Sequence, residues 1–172
     1  MNGREVTVKV ASVCVAAACT LALVPGSASA ATALRSDRRG DAPKSIDITR
    51  TTYRHAPARV SVKIRARALD GPGRAELAIS KFTIFEAGYV ARVKKKANGR
   101  VSKRLFYFNH FRLVPRSCKV SGVWNERRST VRISVPRRCL KHHRKNRLYV
   151  AAMTVHGKKF DKARAVRRLK RG

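Results

Sequence analysis

Residues 59–69, RVSVKIRARAL, alternate without a break: Val60, Val62, Ile64, Ala66 and Ala68 fall on one face, and Ser61, Lys63, Arg65 and Arg67 on the other. A period of two sends successive side chains to opposite faces of an extended strand, whereas a helix would scatter these apolar positions around its axis. The stretch is therefore a β-strand with one buried face and a cationic solvent face. Residues 45–53 alternate in the same way on the other side of His55-Ala56-Pro57-Ala58, a turn, so the two runs form a hairpin. With Thr52 opposite Val62, Ile48 meets Ala66, Ile46 meets Ala68, and on the outer face Asp47 meets Arg67 as a favourable charge pair. That register turns Arg50 inward opposite Ile64, a misfit that a bulge or a position near the sandwich rim would relieve.

Working outward, Asp70-Gly71-Pro72-Gly73 is a second turn and a third strand runs over 74–82. Asn98-Gly99 is a strong hairpin signal between runs 88–97 and 100–109. A two-residue loop there sets Ala91 opposite Phe106 and Tyr89 opposite Phe108, giving an aromatic inner face, and sets Lys94 opposite Lys103 at the tip. A further hairpin joins 118–125 to 129–139, with Trp124 against Ile133, Gly122 against Val135 and Cys118 against Cys139. Cross-strand neighbours are within reach of a disulfide, so the apolar pattern and the cysteine pair ask for one alignment. Pro136 cannot donate a ladder hydrogen bond and marks an edge strand or a strand end. The last strand is 147–156, RLYVAAMTVH. About eight short strands with no convincing long helix predict an all-β fold, an antiparallel sandwich of immunoglobulin-like or jelly-roll-like kind over 45–156, with one disulfide.

The flanks read differently. Residues 1–30 combine Arg4 and Lys9, an apolar run over 10–24, a Pro25-Gly26 break and Ala28-Ser29-Ala30, the pattern of a secretory signal peptide cleaved after Ala30. The run is too short for a transmembrane helix, and no later segment is apolar enough to span. Lipidation at Cys19 is the alternative, against which Ala16 and the continuation of the run to Val24 count. Export predicts an oxidising compartment, where Cys118 and Cys139, the two cysteines that remain, pair rather than bind metal. Residues 31–44, ATALRSDRRGDAPK, read as a flexible lead-in. Residues 157–172, GKKFDKARAVRRLKRG, read as a basic tail, either a short amphipathic helix through Ala163, Val166 and Leu169 or a disordered end.

Charge narrows the function. The chain of 172 residues holds 41 Lys and Arg against 9 Asp and Glu, a formal net charge of +32, with 44% apolar residues. That apolar share is too high for a disordered polycation. Nucleotide enzymes are disfavoured, because there is no Gly-rich phosphate loop and few acids remain to hold magnesium. Hydrolase patterns are missing too: no Ser sits in a G-x-S-x-G elbow, no H-E-x-x-H occurs, and the carboxylates are scattered. His142-His143 is spaced for a solvated basic loop rather than for a metal. Gly40-Asp41 offers one carboxylate to calcium, but Arg38, Arg39 and Lys44 surround it, so no metal, cofactor or catalytic residue is expected.

The stretches GDAPKSIDITRTTYRHAPARVSVKIRARAL, CKVSGVWNERRSTVRISVPRRCL and NRLYVAAMTVHGKKFDKA together resemble a group of small secreted actinobacterial β-sandwich proteins of unknown function. The pattern is a GD-led first hairpin, a Cys before a late hairpin, a VPRxCL segment closing it, and a final strand followed by Asp. It covers the ends of the domain better than the middle. The resemblance implies the sandwich and the bridge and implies no activity.

Two sequence features bear on partners. Lys94, Lys95, Lys96, Arg100, Lys103 and Arg104 crowd around the Asn98-Gly99 tip, and like charges held together favour an anionic ligand. Phe106, Tyr107, Phe108 and Phe111, flanked by Lys103, Arg104 and Arg112, interleave aromatics with cations as single-stranded nucleic-acid binders do, unless Phe106 and Phe108 are core. The expected function is a secreted, non-enzymatic, strongly cationic domain that binds extracellular polyanions such as cell-wall polymer, acidic polysaccharide or nucleic acid. The alternatives are an envelope interaction module with a protein or sugar partner, and a hydrolase with an unrecognised site.

Overall fold

A computed structural model describes residues 30–81, 86–110 and 112–172. The signal-peptide reading of 1–30, Cys19 included, lies outside them save for Ala30. Among the described residues no helix is long and apolar enough to cross a membrane.

The chain forms two antiparallel sheets of five and seven strands, sandwich-like, with 12 strands in place of the expected eight. The first sheet is ordered β1 (Ala31–Ser36), β2 (Ile48–His55), β3 (Arg59–Ala66), β9 (Thr130–Pro136) and β8 (Ser121–Asn125). The second runs β11 (Lys159–Lys162), β10 (Arg147–His156), β4 (Gly73–Ser80), β5 (Ala87–Lys95), β6 (Val101–Asn109) and β7 (Arg112–Arg116), and β12 (Val166–Lys170) shares the outer edge of β10 with β11. Between the sheets, Val60, Val62 and Ile64 of β3 and Val131, Ile133 and Val135 of β9 join Leu77, Ile79, Ala91, Val93 and Leu105 of the other sheet in one buried cluster. This is the alternation of residues 59–69 realised: the apolar face is inside and Lys63, Arg65 and Arg67 are outside.

Of the four extra strands, β7 follows β6 and pairs with it antiparallel, and the other three come from the flanks. The expected lead-in supplies β1, which pairs with β2 and tucks Ala33 against the core. The expected helical or disordered tail supplies β11 and β12, burying Val166 and Leu169 on β12 and Ala163 in the connection between the two strands instead of on a helix face. Both flanks cover sheet edges that would otherwise leave ladder groups unpaired.

Three registers differ from expectation. In the first hairpin Thr52 faces Lys63 and Tyr53 faces Val62, and a bulge between Ile48 and Arg50 restores Ile48 opposite Ala66. The bulge turns Arg50 to solvent and places Thr51 and Tyr53 in the core. At Asn98-Gly99 the loop has three residues, because Lys96 N–H bonds Arg100 O at 3.0 Å and Gly99 takes φ +76°. A type I turn followed by a left-handed glycine gives this three-residue loop. The slip of one residue flips every side chain: Ala91 faces Leu105, Tyr89 faces Tyr107, and Lys94 faces Ser102 rather than Lys103. In the cysteine hairpin a four-residue turn over 126–129, with Arg128 N–H on Asn125 Oδ1 at 2.9 Å, shifts the register by two, so Trp124 faces Val131 and Gly122 faces Ile133. A shift of two preserves the faces, and the Cys118–Cys139 disulfide forms with Cα atoms 6.0 Å apart. Cys139 sits beyond β9 in 3₁₀ turns over Arg137–His143, and Pro136 closes the strand.

Candidate polyanion-binding surfaces

The outward positions of the five-stranded sheet form a cationic field. Register sets Arg50 directly opposite Arg65 and Lys63 directly opposite Arg132, and all four are exposed. Adjacent strands are about 4.8 Å apart and same-face neighbours along a strand about 6.8 Å, so these cations recur on a grid rather than at one point. No Asp or Glu occupies an outward position of β1, β2, β3, β8 or β9. Two shallow hollows indent the face: one of about 460 Å³ lined by Lys63, Arg65, Arg127, Arg128 and Arg132, and one of about 500 Å³ lined by Arg39, Arg50, Arg65 and Arg67 with Asp37 at its side. Opposed like charges cost free energy unless anions or water separate them, so this surface is set to take up anions.

The Asn98-Gly99 tip is less concentrated than its sequence suggests. The one-residue slip puts Lys94 and Arg104 on one side of the hairpin and Lys95 and Lys103 on the other, with Lys96 and Arg100 in the turn. Lys95 is largely buried and forms an ion pair with Glu126. Lys103 lies beside β8, its Cγ 3.5 Å from the place a Cβ on Gly122 would occupy. Lys94 and Lys96 instead line a hollow of about 530 Å³ with Arg74 and His156. Arg92 and Arg104 are directly opposed, and Glu76 reaches Arg92 Nε at 2.7 Å and Arg74 Nε at 3.2 Å.

The aromatic run is inverted. Tyr107 packs on the core edge-on to Tyr89, ring centroids 5.3 Å apart. Phe106 and Phe108 occupy the outward face of the seven-stranded sheet, and the Arg92 guanidinium lies over the Phe106 ring at 4.7 Å. Phe106, only 9% exposed, therefore offers no open ring for a base. Phe111 lies outside the described residues.

Two histidines read as turn or loop residues are buried. His143 accepts a hydrogen bond from Lys81 N–H at Nδ1, 3.0 Å, and stands edge-on to Tyr89; the His142 side chain is outside the described residues. His55 ends β2, and its Nδ1–H donates to Leu169 O at 3.3 Å, since a carbonyl can only accept. Burial, with Arg137 and Arg171 nearby, lowers its pKa below the ordinary value. No pairing in the sequence announced either contact, because each partner is more than 60 residues away.

No known protein family, curated protein or solved structure matches the chain.

Proposed function

We propose that the chain is a secreted, non-enzymatic domain that binds extracellular polyanions, with the outward face of the five-stranded sheet as the principal contact and the Asn98-Gly99 tip as its flank. The observation that carries this reading is the opposed pairs Arg50–Arg65 and Lys63–Arg132 on a face without an outward acid. A regular grid of cations suits a polymer with repeated phosphates, sulfates or carboxylates, and binding releases condensed counterions. Cell-wall polymer, acidic polysaccharide and nucleic acid share that chemistry.

The test compares two variants that each remove four of the 41 cations. One replaces Arg50, Lys63, Arg65 and Arg132 by Gln; the other replaces Lys94, Lys96, Arg100 and Arg104. Against heparin, duplex DNA and purified wall polymer, the face variant loses affinity about 30- to 100-fold and its log-log salt slope falls by about 3 to 4, while the tip variant loses less than about fivefold. Equal, small losses would show diffuse charge, and a larger loss for the tip would move the site there. Binding to a single purified partner that persists at high salt would favour the envelope-module alternative.

A further inference from the structure

In a chain this poor in acids, carboxylates should lie apart among the cations. Four of the nine instead converge on one corner: Asp37 just after β1, Asp41 and Asp47 before β2, and Asp161 on β11. Asp41, Asp47 and Asp161 each bring one carboxylate oxygen to within 4.8 Å of the others. Asp47 is wholly buried and Asp161 nearly so, at 0% and 8% exposure.

The backbone holds the corner in place. Ile46 N–H and Asp47 N–H both donate to Pro43 O, and Arg67 N–H donates to Asp47 O at 2.7 Å. Gly40 N–H donates to Asp47 Oδ2 at 2.8 Å, and Ile48 N–H to Asp161 Oδ2 at 2.6 Å. These bonds leave Asp47 Oδ1, a buried oxygen, without a partner among the described residues. Arg67 is the one described cation in an ion pair with the cluster, at 3.8 Å from Asp47 Oδ2 and with its own side chain 46% exposed. A buried carboxylate oxygen with no donor is costly, and one distant guanidinium does not balance three carboxylates. The corner therefore lacks about two positive charges.

We infer that Asp41, Asp47 and Asp161, with Asp37 at the margin, form a calcium site that fastens the segment before β2 to strand β11. Oxygen-only donors select a hard cation. Opposite ligands around a calcium ion, with bonds of about 2.4 Å, stand about 4.8 Å apart, and calcium accepts the irregular set that one turn and one strand provide. Magnesium needs tighter octahedral geometry and resists losing its water. The site explains why the segment 37–47 and the segment 159–162, far apart in sequence, are held to each other by carboxylates in an otherwise cationic molecule.

The test uses the full chain stripped with EDTA and titrated with CaCl₂ at physiological ionic strength. One calcium per chain should bind with Kd of about 10⁻⁴ to 10⁻³ M, and about 10 mM calcium should raise Tm by about 5 °C, magnesium being at least about tenfold weaker. Asp41 is exposed, so Asp41→Asn should fold with the Tm of the stripped protein unchanged within about 1 °C and lose at least about tenfold in calcium affinity. Asp161→Asn keeps an acceptor for Ile48 N–H and should lose calcium binding as well. The inference is overturned if no saturable heat and no Tm shift appear up to about 10 mM calcium, or if Asp41→Asn binds as tightly as the parent. It is also overturned if the stripped protein gains stability from about pH 7 to about pH 5 with no response to calcium, which is the behaviour of a corner that holds a proton instead.

Discussion

On the five-stranded sheet the outward positions of β2, β3 and β9 carry Arg50, Lys63, Arg65 and Arg132, whereas on the seven-stranded sheet the outward positions of β4, β5, β6 and β10 grade from cationic to apolar. Arg74, Arg92, Lys94 and Arg104 lie toward the Asn98-Gly99 end of that second face, and Ala78, Ala151, Val90, Phe106 and Phe108 toward the other. The two sheets share one core, so burial on their inner sides cannot account for the contrast. What differs is how each outward cation is satisfied. On the first face Arg50, Lys63, Arg65 and Arg132 form no ion pair among the described residues, and these cations stay available to a ligand. On the second, Glu76 holds Arg92 and Arg74, and Arg92 in turn covers Phe106. Arg74 and Arg92 there serve the fold.

The contrast breaks most visibly in stability. Phe106→Ala removes a ring that is 9% exposed though it points away from the core, and should cost about 3 kcal/mol. Arg65→Gln, on the other sheet, should change stability by less than about 0.5 kcal/mol and can raise it by relieving repulsion from Arg50. Chemical denaturation of both variants checks the pair. Comparable losses in the two would mean that the faces do not differ in the way their contacts indicate.

A smaller effect sharpens the same contrast. Glu76 is 7% exposed, and its Oε1 lies 2.7 Å from Arg92 Nε and 3.2 Å from Arg74 Nε. Glu76→Gln keeps the shape and removes the charge, leaving two arginines beside Lys94 and Arg104 uncompensated, with an expected loss of about 1 to 3 kcal/mol. Because the missing term is repulsion between partly exposed cations, salt should restore part of the loss. A deficit in the denaturation midpoint that is identical at low and high salt would point to packing instead.

How much of this was legible depended on the range over which each feature is determined. The period of two in residues 59–69 is local, and it yielded the sheet, its buried face and the outward Lys63 and Arg65 that dominate the candidate surface. The Cys118–Cys139 bridge was likewise readable, since its hairpin keeps its parity through a shift of two; the Asp47–Arg67 contact was readable too, but Asp47 is buried and not on the outer face. The Asn98-Gly99 hairpin was not, because one extra loop residue, set by the left-handed φ of Gly99, exchanges the faces and sends Phe106 outward and Tyr107 inward. Local crowding of lysines therefore drew attention to the tip, while Arg132 and Arg50 come together with Lys63 and Arg65 only through long-range pairing. β1 and β12 are short and lack a strong pattern of their own, so only an edge to pair with makes them strands. The acidic corner is the extreme case, joining Asp41 and Asp47 to Asp161 across most of the described chain.

The smallest effect asks where a positive charge can be placed at all. His55 lies on the inward side of the cationic sheet, 0% exposed, with Nδ1–H on Leu169 O of β12, Nε2 buried without a partner among the described residues, and its own carbonyl accepting from Gly172 N–H at 3.1 Å. Burial lowers its pKa, and repulsion from Arg137 and Arg171 acts in the same direction. The folded pKa is thus below the unfolded value of about 6.5, so the stability contributed by the neutral ring is fully present above that value and is lost as pH falls through the folded pKa. Asp37 and Asp161, raised by burial, work in the opposite sense: the stability of their protonated forms is present below the unfolded value of 3.8 and is lost as pH rises through the folded pKa. Hydrogen exchange at β12 separates the two, because Leu169 belongs to that strand and the acidic corner does not touch it through any hydrogen bond described above. From about pH 7 to about pH 5, after correction for intrinsic exchange, protection of residues 166–170 should fall several-fold in the parent. In His55→Gln, whose amide can still donate to Leu169 O, protection should be independent of pH. If the parent shows no such fall, or the variant shows the same one, the buried ring is not what limits β12, and the inward side of this sheet tolerates charge better than its packing implies.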